Sequence, residues 1–415
     1  MRDIVARYLI ETAHPLEYAA EVMAGEQSAG TFVRVPGETP ELVANHSAKV
    51  LSITPLEAHE TPALPGSKPP KGSTARYQRA EVVISYPFAN LGASLATLIT
   101  TVSGNLYELS QFSGLRLMDV DIPESFAERY PGPQFSVAGT RHLAGVHNRP
   151  LIGTIIKPSV GFSPQQTADL VHNLCEAGLD FIKDDELQTN GPHNPLPARV
   201  KAVMDVINRH ADRTGRKVMY AFNITADIDD MLRHHDIVLQ HGGTCVMVNL
   251  LAVGLGAVAH LRTHSQLPIH GHRAGWGALT RHPLLGIDYI AFQKFARLAG
   301  ADHLHVNGLR NKFCESDENV IASASACLHP MFGGYRAMPV FSAGQTVWQA
   351  PDTYKALASA DLLYLAGGGI MAHPNGPSAG VHALMEAWEA AMQGLELADY
   401  ARTHPALAAA MEAFK

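Results

Sequence analysis

From Leu151 onward the chain repeats one pattern eight times: a short apolar, β-rich run, a polar or glycine-bearing exit, and a stretch leading to the next run. The runs begin near Leu151, Leu179, Lys217, Thr244, Pro268, Asp302, Met338 and Leu362. A closed (β/α)8 barrel needs that rhythm over about 250 residues. A doubly wound open sheet also alternates, but usually with fewer strands, and no G-x-G-x-x-G follows the first run here. One repeat is readable in detail. Ser163, Pro164 and Gln166 supply an N-cap, a proline for the first helical position and a glutamine three residues after the cap. Leu170, Val171 and Leu174 then share a face, Gly178 stops the helix, and the next run starts at once.

The first third has a different texture. Ile4 to Ile10 and Ala80 to Ser85 read as strands, Pro15 to Ala24 and Leu91 to Val102 as helices, and Pro55 to Gly72 as an irregular surface connection rich in proline and glycine. At 415 residues the chain exceeds what one core usually organises. The expected architecture is α/β: a smaller N-terminal α+β domain of ferredoxin-like type over residues 1–130, then a (β/α)8 TIM barrel over 131–415 that includes C-terminal helices.

Composition narrows the function classes. With 46% hydrophobic and 17% charged residues the balance is that of a globular protein with a large core. A net charge of -7 gives no electrostatic footprint for nucleic acid or anionic lipid, although a local basic pocket for a phosphorylated metabolite remains compatible with it. Cys175, Cys245, Cys314 and Cys327 lie far apart without C-x-x-C spacing, as free thiols in a reducing compartment would. The N-terminus has no apolar signal core and no stretch reaches membrane-spanning length, so a cytoplasmic location is expected.

Active sites of such barrels sit at the C-terminal ends of the strands. The run ends here are Lys157; Lys183, Asp184, Asp185 and Glu186; Asn223; Asn249; His270, His272 and Arg273; His305 and Asn307; Ser342; and Gly367, Gly368 and Gly369. Nearly every apolar run thus exits into a polar, ionisable or glycine residue, which predicts one convergent site. Alternation puts Lys183 and Asp185 on one side of the second strand and Asp184 on the other, with Glu186 able to turn back to the mouth. Two carboxylates and a third oxygen ligand would suit Mg2+. An ammonium is no ligand for a cation, however, and the same residues also fit a salt-bridged cluster on a solvated loop. The triple glycine and Gly344 suit close approach of backbone N–H groups to a phosphate, or a tight turn. Arg273 could add a second phosphate contact. The pairs His270/His272 and His303/His305 raise zinc as an alternative, which the neighbouring oxygen-rich cluster disfavours.

These residues carry a family resemblance. Gly153 to Gly161 and Gly178 to Glu186 resemble the paired signatures of the RuBisCO large-subunit superfamily. His270 to Ala274, Asp302 to His305 and Pro339 to Gly344 look like its later strands, and Glu26 with Gly30-Thr31, and Gly104-Asn105, like the N-terminal segments that complete its site. The likeness runs from about Ile4 to Gly380 in the family's order. It implies that Lys183 takes up CO2 as a carbamate and becomes an anionic ligand of Mg2+ beside Asp185 and Glu186. It also implies that Lys157 moves a substrate proton, that Lys312 is the mobile-loop lysine, and that His272 and Asn105 join the catalytic set. Arg273, His305 and Ser342 match one phosphate site, and Thr31, Gly344, Gly367 and Gly368 the other. A homodimer, or a larger oligomer of dimers, follows from the same likeness, with Glu26, Thr31 and Asn105 reaching the partner.

Departures from the pattern shape the expected chemistry. Ser159 stands where true carboxylases have a second lysine, Trp276 where they have a histidine, Phe32 follows Thr31 in place of tryptophan, and Ala343 replaces a glycine. Losing a cation and a proton carrier beside the reacting carbons argues against CO2 addition. The expectation is a RuBisCO-like, form IV type, Mg-dependent lyase or isomerase. It would form an enediolate from a phosphorylated keto-sugar or oxo-sugar acid without net CO2 fixation, with decarboxylation of an oxo-sugar-acid phosphate favoured. The alternatives are a methylthio-ribulose-phosphate isomerase or diketo-methylthiopentyl-phosphate enolase, a true ribulose-bisphosphate carboxylase, and a non-catalytic binding protein. The methylthio-sugar enolases carry a lysine base where Asn105 stands.

Overall fold

The computed structural model describes residues 2–29, 35–72 and 76–415. The chain forms two compact units: Met1–Pro131 with Gly275–Leu298, and Gly132–Ala274 with Ala299–Lys415. The first unit thus takes back a segment from the middle of the barrel sequence.

Its sheet has five strands in the order Leu285–Ile287, Phe112–Asp121, Ile4–Thr12, Tyr77–Tyr86 and Lys49–His59. Only the short Leu285–Ile287 strand pairs parallel. The central Ile4–Thr12 strand buries Ile4, Ala6, Tyr8 and Ile10 in alternation, the period of a half-buried strand, before Glu11 and Thr12 are buried at its end. Helix Leu16–Glu26 buries Ala19, Ala20 and Met23. Two expectations need correction. Pro55 to His59 belongs to strand Lys49–His59 instead of an irregular connection, and Phe112–Asp121 is a strand that the sequence reading omitted. Lys49–His59 is an edge strand with one neighbour and a largely exposed surface, so it carries no apolar alternation. Pro55 is tolerated at the edge, where the register slips between Pro55 and Ala58.

The second unit is a closed barrel of eight parallel strands, as the repeat requires. They are Leu151–Ile155, Phe181–Lys183, Met219–Asn223, Cys245–Asn249, Ile269–His272, His303–His305, Met338–Phe341 and Leu363–Leu365. Each begins within two residues of its expected start. The interior is filled by Leu151, Phe181, Met219, Ala221, Cys245, Met247, Met338, Val340, Leu363 and Leu365, and Val137, Ala144 and Val146 extend the same cluster. Helix Pro164–Glu176 has the capping box formed by Ser163 and Gln166. Among the described residues, no helix is long and apolar enough to cross a membrane.

Candidate active site

The second barrel strand delivers its charges as alternation dictates. Asp184 points away from the mouth and is buried as a structural anion: Arg199 Nε and Nη2 donate to it at 3.2 and 3.1 Å, Tyr220 Oη at 2.6 Å and the Asn223 backbone N–H at 2.9 Å. Lys183 and Asp185 lie on the other side, 0% and 1% exposed. Lys183 Nζ donates to the Asp184 carbonyl at 2.7 Å and stands 3.8 Å from Glu186 Oε2. Burial lowers the Lys183 pKa, opposed by the charges of Glu186, Asp185 and Asp184. Glu186 does turn back to the mouth, and its Oε2 is 3.6 Å from His272 Nε2. His272 Nδ1 accepts from the Ala274 N–H at 3.1 Å, so its ring proton sits on Nε2 and faces that carboxylate.

Lys157, two residues past the first barrel strand, reaches across to the second. Its Nζ lies 2.6 Å from Asp185 Oδ2 and 2.9 Å from Ser159 Oγ. Ser159 therefore accepts a proton of Lys157 at the position where a carboxylase would place another cation.

Asn223 and Asn249 hold the acidic exit in place. Asn223 Nδ2 donates to the carbonyls of Asp185 at 3.2 Å and Glu186 at 3.0 Å, and Asn249 Nδ2 donates to that of Glu186 at 3.2 Å. Their position at the last residue of strands three and four was the available signal.

The remaining exits sort by what each side chain touches. Arg273 Nη2 is in close ion pairing with Glu315, whose Oε2 also accepts from Asn307 Nδ2 at 2.6 Å. Glu315 was not among the expected site residues. Lys312 is pinned by its backbone N–H on the Ala343 carbonyl at 3.1 Å, and its Nζ lies 5.2 Å from the Phe313 ring centre. Ala343 has φ +69, a left-handed conformation in which the family's glycine would be unstrained. The glycines of the eighth exit divide. Gly368 borders open space and Gly367 lies beside Lys157 Cε, whereas a Cβ on Gly369 would fall 2.5 Å from the Gln345 carbonyl, so Gly369 serves packing. The H-x-H histidines pair off with one another: His270 Nδ1 with His303 Nδ1 at 3.2 Å and His270 Nε2 with His305 Nε2 at 2.7 Å.

In the first unit, Asn105 Nδ2 is 3.4 Å from Glu26 Oε1. Trp276 also belongs to that unit, buried against Tyr289 and Phe292. Thr31 and Phe32 lie outside the described residues. The four cysteines are free thiols, all buried except Cys314.

Fold and site together define a barrel enzyme with a lysine–carboxylate centre at the mouth of its second strand. The chain belongs to the ribulose bisphosphate carboxylase large chain family: the family's catalytic domain matches residues 136–414 and its N-terminal domain residues 1–126. Within it the chain is a RuBisCO-like enzyme. It is 54% identical to a 3-oxo-isoapionate-4-phosphate transcarboxylase/hydrolase of Xanthobacter autotrophicus, over 98% of either chain. It is 45% identical to a 3-oxo-isoapionate-4-phosphate decarboxylase of Rhizobium etli, over 99% of this chain and 98% of that one. Among solved structures, a rubisco-like protein from Burkholderia fungorum superposes with TM-score 0.92 at 44% identity, covering 99% of this chain and 100% of the other. A dimeric archaeal Rubisco from Hyperthermus butylicus superposes with TM-score 0.84 at 29% identity, covering 99% and 95%.

Proposed function

We propose that this chain decarboxylates a phosphorylated branched 3-oxo sugar acid of the 3-oxo-isoapionate 4-phosphate type. The observation that carries the reading is Lys157 bridging Asp185 and Ser159, which sets a proton carrier against the acidic centre and leaves no second lysine for CO2 addition. In a 3-oxo acid the ketone stands β to the carboxylate. Breaking the carboxyl-bearing C–C bond releases CO2 and leaves its electron pair delocalised onto the ketone oxygen. The Lys157 ammonium then delivers a proton to the carbanionic carbon and is reprotonated from solvent.

The donor set fits a hard divalent cation. Asp185 and Glu186 are carboxylates, and the buried Lys183 amine, once carbamylated by CO2, would offer a third anionic oxygen in place of a repelled ammonium. Bound Mg2+ would supply charge stabilisation for the enolate oxygen. His272 faces Glu186 with its Nε2 3.6 Å from Oε2 and can carry protons at the mouth. Arg273 supplies the charge for one phosphate, with His305 and Ser342 beside it; Gly344, Gly367 and Gly368 form the other anion site, to which the family resemblance assigns Thr31 as well. Lys312 closes over the bound substrate. The active assembly is a homodimer in the cytoplasm, with Glu26, Thr31 and Asn105 completing the partner's site.

A second outcome, favoured by the 54% identical relative named as a transcarboxylase/hydrolase, keeps the carboxyl carbon: the carboxyl group is transferred within the substrate and water then cleaves a C–C bond. The test is purified enzyme with Mg2+, unlabelled bicarbonate and 3-oxo-isoapionate 4-phosphate labelled with 13C at the carboxyl carbon, following substrate by 31P NMR and the label by 13C NMR. Release of one CO2 per substrate supports the decarboxylase, and retention of every carbon in two organic fragments supports the transcarboxylase/hydrolase. No consumption of substrate sinks both.

A further inference from the structure

Beneath the mouth, a chain of hydrogen bonds runs down the barrel core. Ser342 Oγ is 3.0 Å from His305 Nδ1, His305 Nε2 is 2.7 Å from His270 Nε2, His270 Nδ1 is 3.2 Å from His303 Nδ1, and His303 Nε2 is 2.8 Å from Thr140 Oγ1. Thr140 lies on helix Ser136–Ala144. Asp302 Oδ1, just before the sixth strand, accepts from the Phe135 and Ser136 N–H groups at 2.6 and 2.8 Å and anchors the start of that helix. All five side chains are buried, from 0% exposed at His270, His303 and Thr140 to 7% at Ser342. Burial keeps the three imidazoles neutral, with His303 lowered to about 3.

The direction of every link follows from the last one. Thr140 Oγ1 is 2.5 Å from the Ser136 carbonyl, and two oxygens at that distance require the hydroxyl proton between them. Thr140 is therefore an acceptor toward His303, so His303 carries its proton on Nε2. Its bare Nδ1 must accept, so His270 donates from Nδ1. His270 Nε2 is then bare and accepts from His305 Nε2–H. His305 Nδ1 is left bare and accepts from the Ser342 hydroxyl. The Cys245 thiol, 4.0 Å from His303 Nδ1, has the Pro268 and Val246 carbonyls at 3.4 and 3.6 Å for its one proton and leaves the assignment unchanged.

We infer that Thr140 is a positioning residue for the active site, setting the hydrogen-bond polarity of His303, His270 and His305 in series. Ser342 consequently donates inward and shows only lone pairs to the mouth, while His305 has no N–H left to offer there. This sharpens the proposed substrate site, on which its functional part rests: Ser342 accepts from a substrate hydroxyl, and Arg273 is left to meet the phosphate charge.

The protonation pattern can be read without substrate, on ligand-free full-length protein. Long-range 1H–15N correlation with 15N-histidine labelling, or neutron diffraction, should place protons on Nε2 of His303, Nδ1 of His270 and Nε2 of His305. Thr140→Val removes the terminal acceptor and should shift all three rings away from these single tautomers. In turnover it should raise KM roughly tenfold, about the worth of one hydrogen bond, with much less effect on kcat. Thr140→Ser, which keeps the hydroxyl, should restore both. A proton on Nε2 of His270 in the wild-type chain, or unchanged tautomers in Thr140→Val, overturns the inference. If Thr140→Val does not fold, the wild-type pattern alone decides. The expected pattern in an enzyme that ignores the 3-oxo acid would uphold the relay and count against the proposed reaction.

Discussion

Lys157 Nζ lies 2.6 Å from Asp185 Oδ2, joining the exits of the first and second barrel strands in one ion pair. The lysine side chain is 39% exposed and the aspartate 2%, so the amine stands between solvent and the buried acidic centre. A group so placed can exchange protons with water and hand them to a bound carbon acid. Lys157→Met should lower kcat by roughly a hundredfold to ten-thousandfold, the usual worth of a positioned acid or base. Mg2+ affinity measured by calorimetry should not fall, because the substitution frees Asp185. Full activity in this variant would remove Lys157 from the mechanism.

Arg273 and Glu315 form the next telling pair, with side chains 6% and 13% exposed. Glu315 holds a negative charge where the proposed phosphate would meet Arg273. Glu315→Gln keeps the shape and the acceptor oxygen for Asn307 while deleting the charge. Binding of inorganic phosphate should tighten by several-fold to about tenfold, the scale of one close charge contact. A weaker affinity would mean that Glu315 instead orients Arg273 for its ligand.

Asn223 and Asn249 fix the carbonyls of Asp185 and Glu186 from behind. Partners that orient metal ligands typically contribute about tenfold to a hundredfold in affinity. Asn223→Ala should weaken Mg2+ binding on that scale while the far-ultraviolet circular dichroism is unchanged. Unaltered Mg2+ affinity would show that the acidic exit holds its shape without the clamp.

The buried histidines predict acid sensitivity. Burial lowers the His303 pKa from 6.5 to about 3 and depresses those of His270 and His305 as well. Below pH 6.5 the unfolded chain binds protons that the folded chain refuses, so folding loses free energy as the pH drops. The contribution of His303 is complete above about pH 6.5 and is lost progressively toward about 3. Thermal melts should show the midpoint falling as the pH moves from neutral into that window. A midpoint flat over the same range would mean that the barrel core accepts the protons without opening.

How much of this was legible in the sequence depended on the range of the interactions. All eight barrel strands could be read from the alternation of apolar runs and polar exits, because each strand buries both faces and each exit is chemically distinct. The edge strand Lys49–His59 could not, since an exposed ladder leaves no pattern in the side chains. The opposite orientations of Lys183 and Asp184 followed from the strand period of two. The contact of Lys157 with Asp185 did not, because it joins residues 28 apart through side chains whose reach depends on barrel closure.

The sequence by itself determined the barrel, the order of its strands and the set of ionisable groups at its mouth, since each rests on local periodicity and on residue type. Tertiary structure decided which of those groups answer to one another. It turned Asp184 into a buried anchor for Arg199 and Tyr220, set Glu315 against Arg273, and placed Asn223 and Asn249 behind the acidic exit. It also ran a line of histidines from Ser342 down to Thr140. The physical reason is that a hydrogen bond has a direction and a length that only fixed neighbours can impose. A sequence specifies the donors and acceptors, and barrel closure chooses their partners.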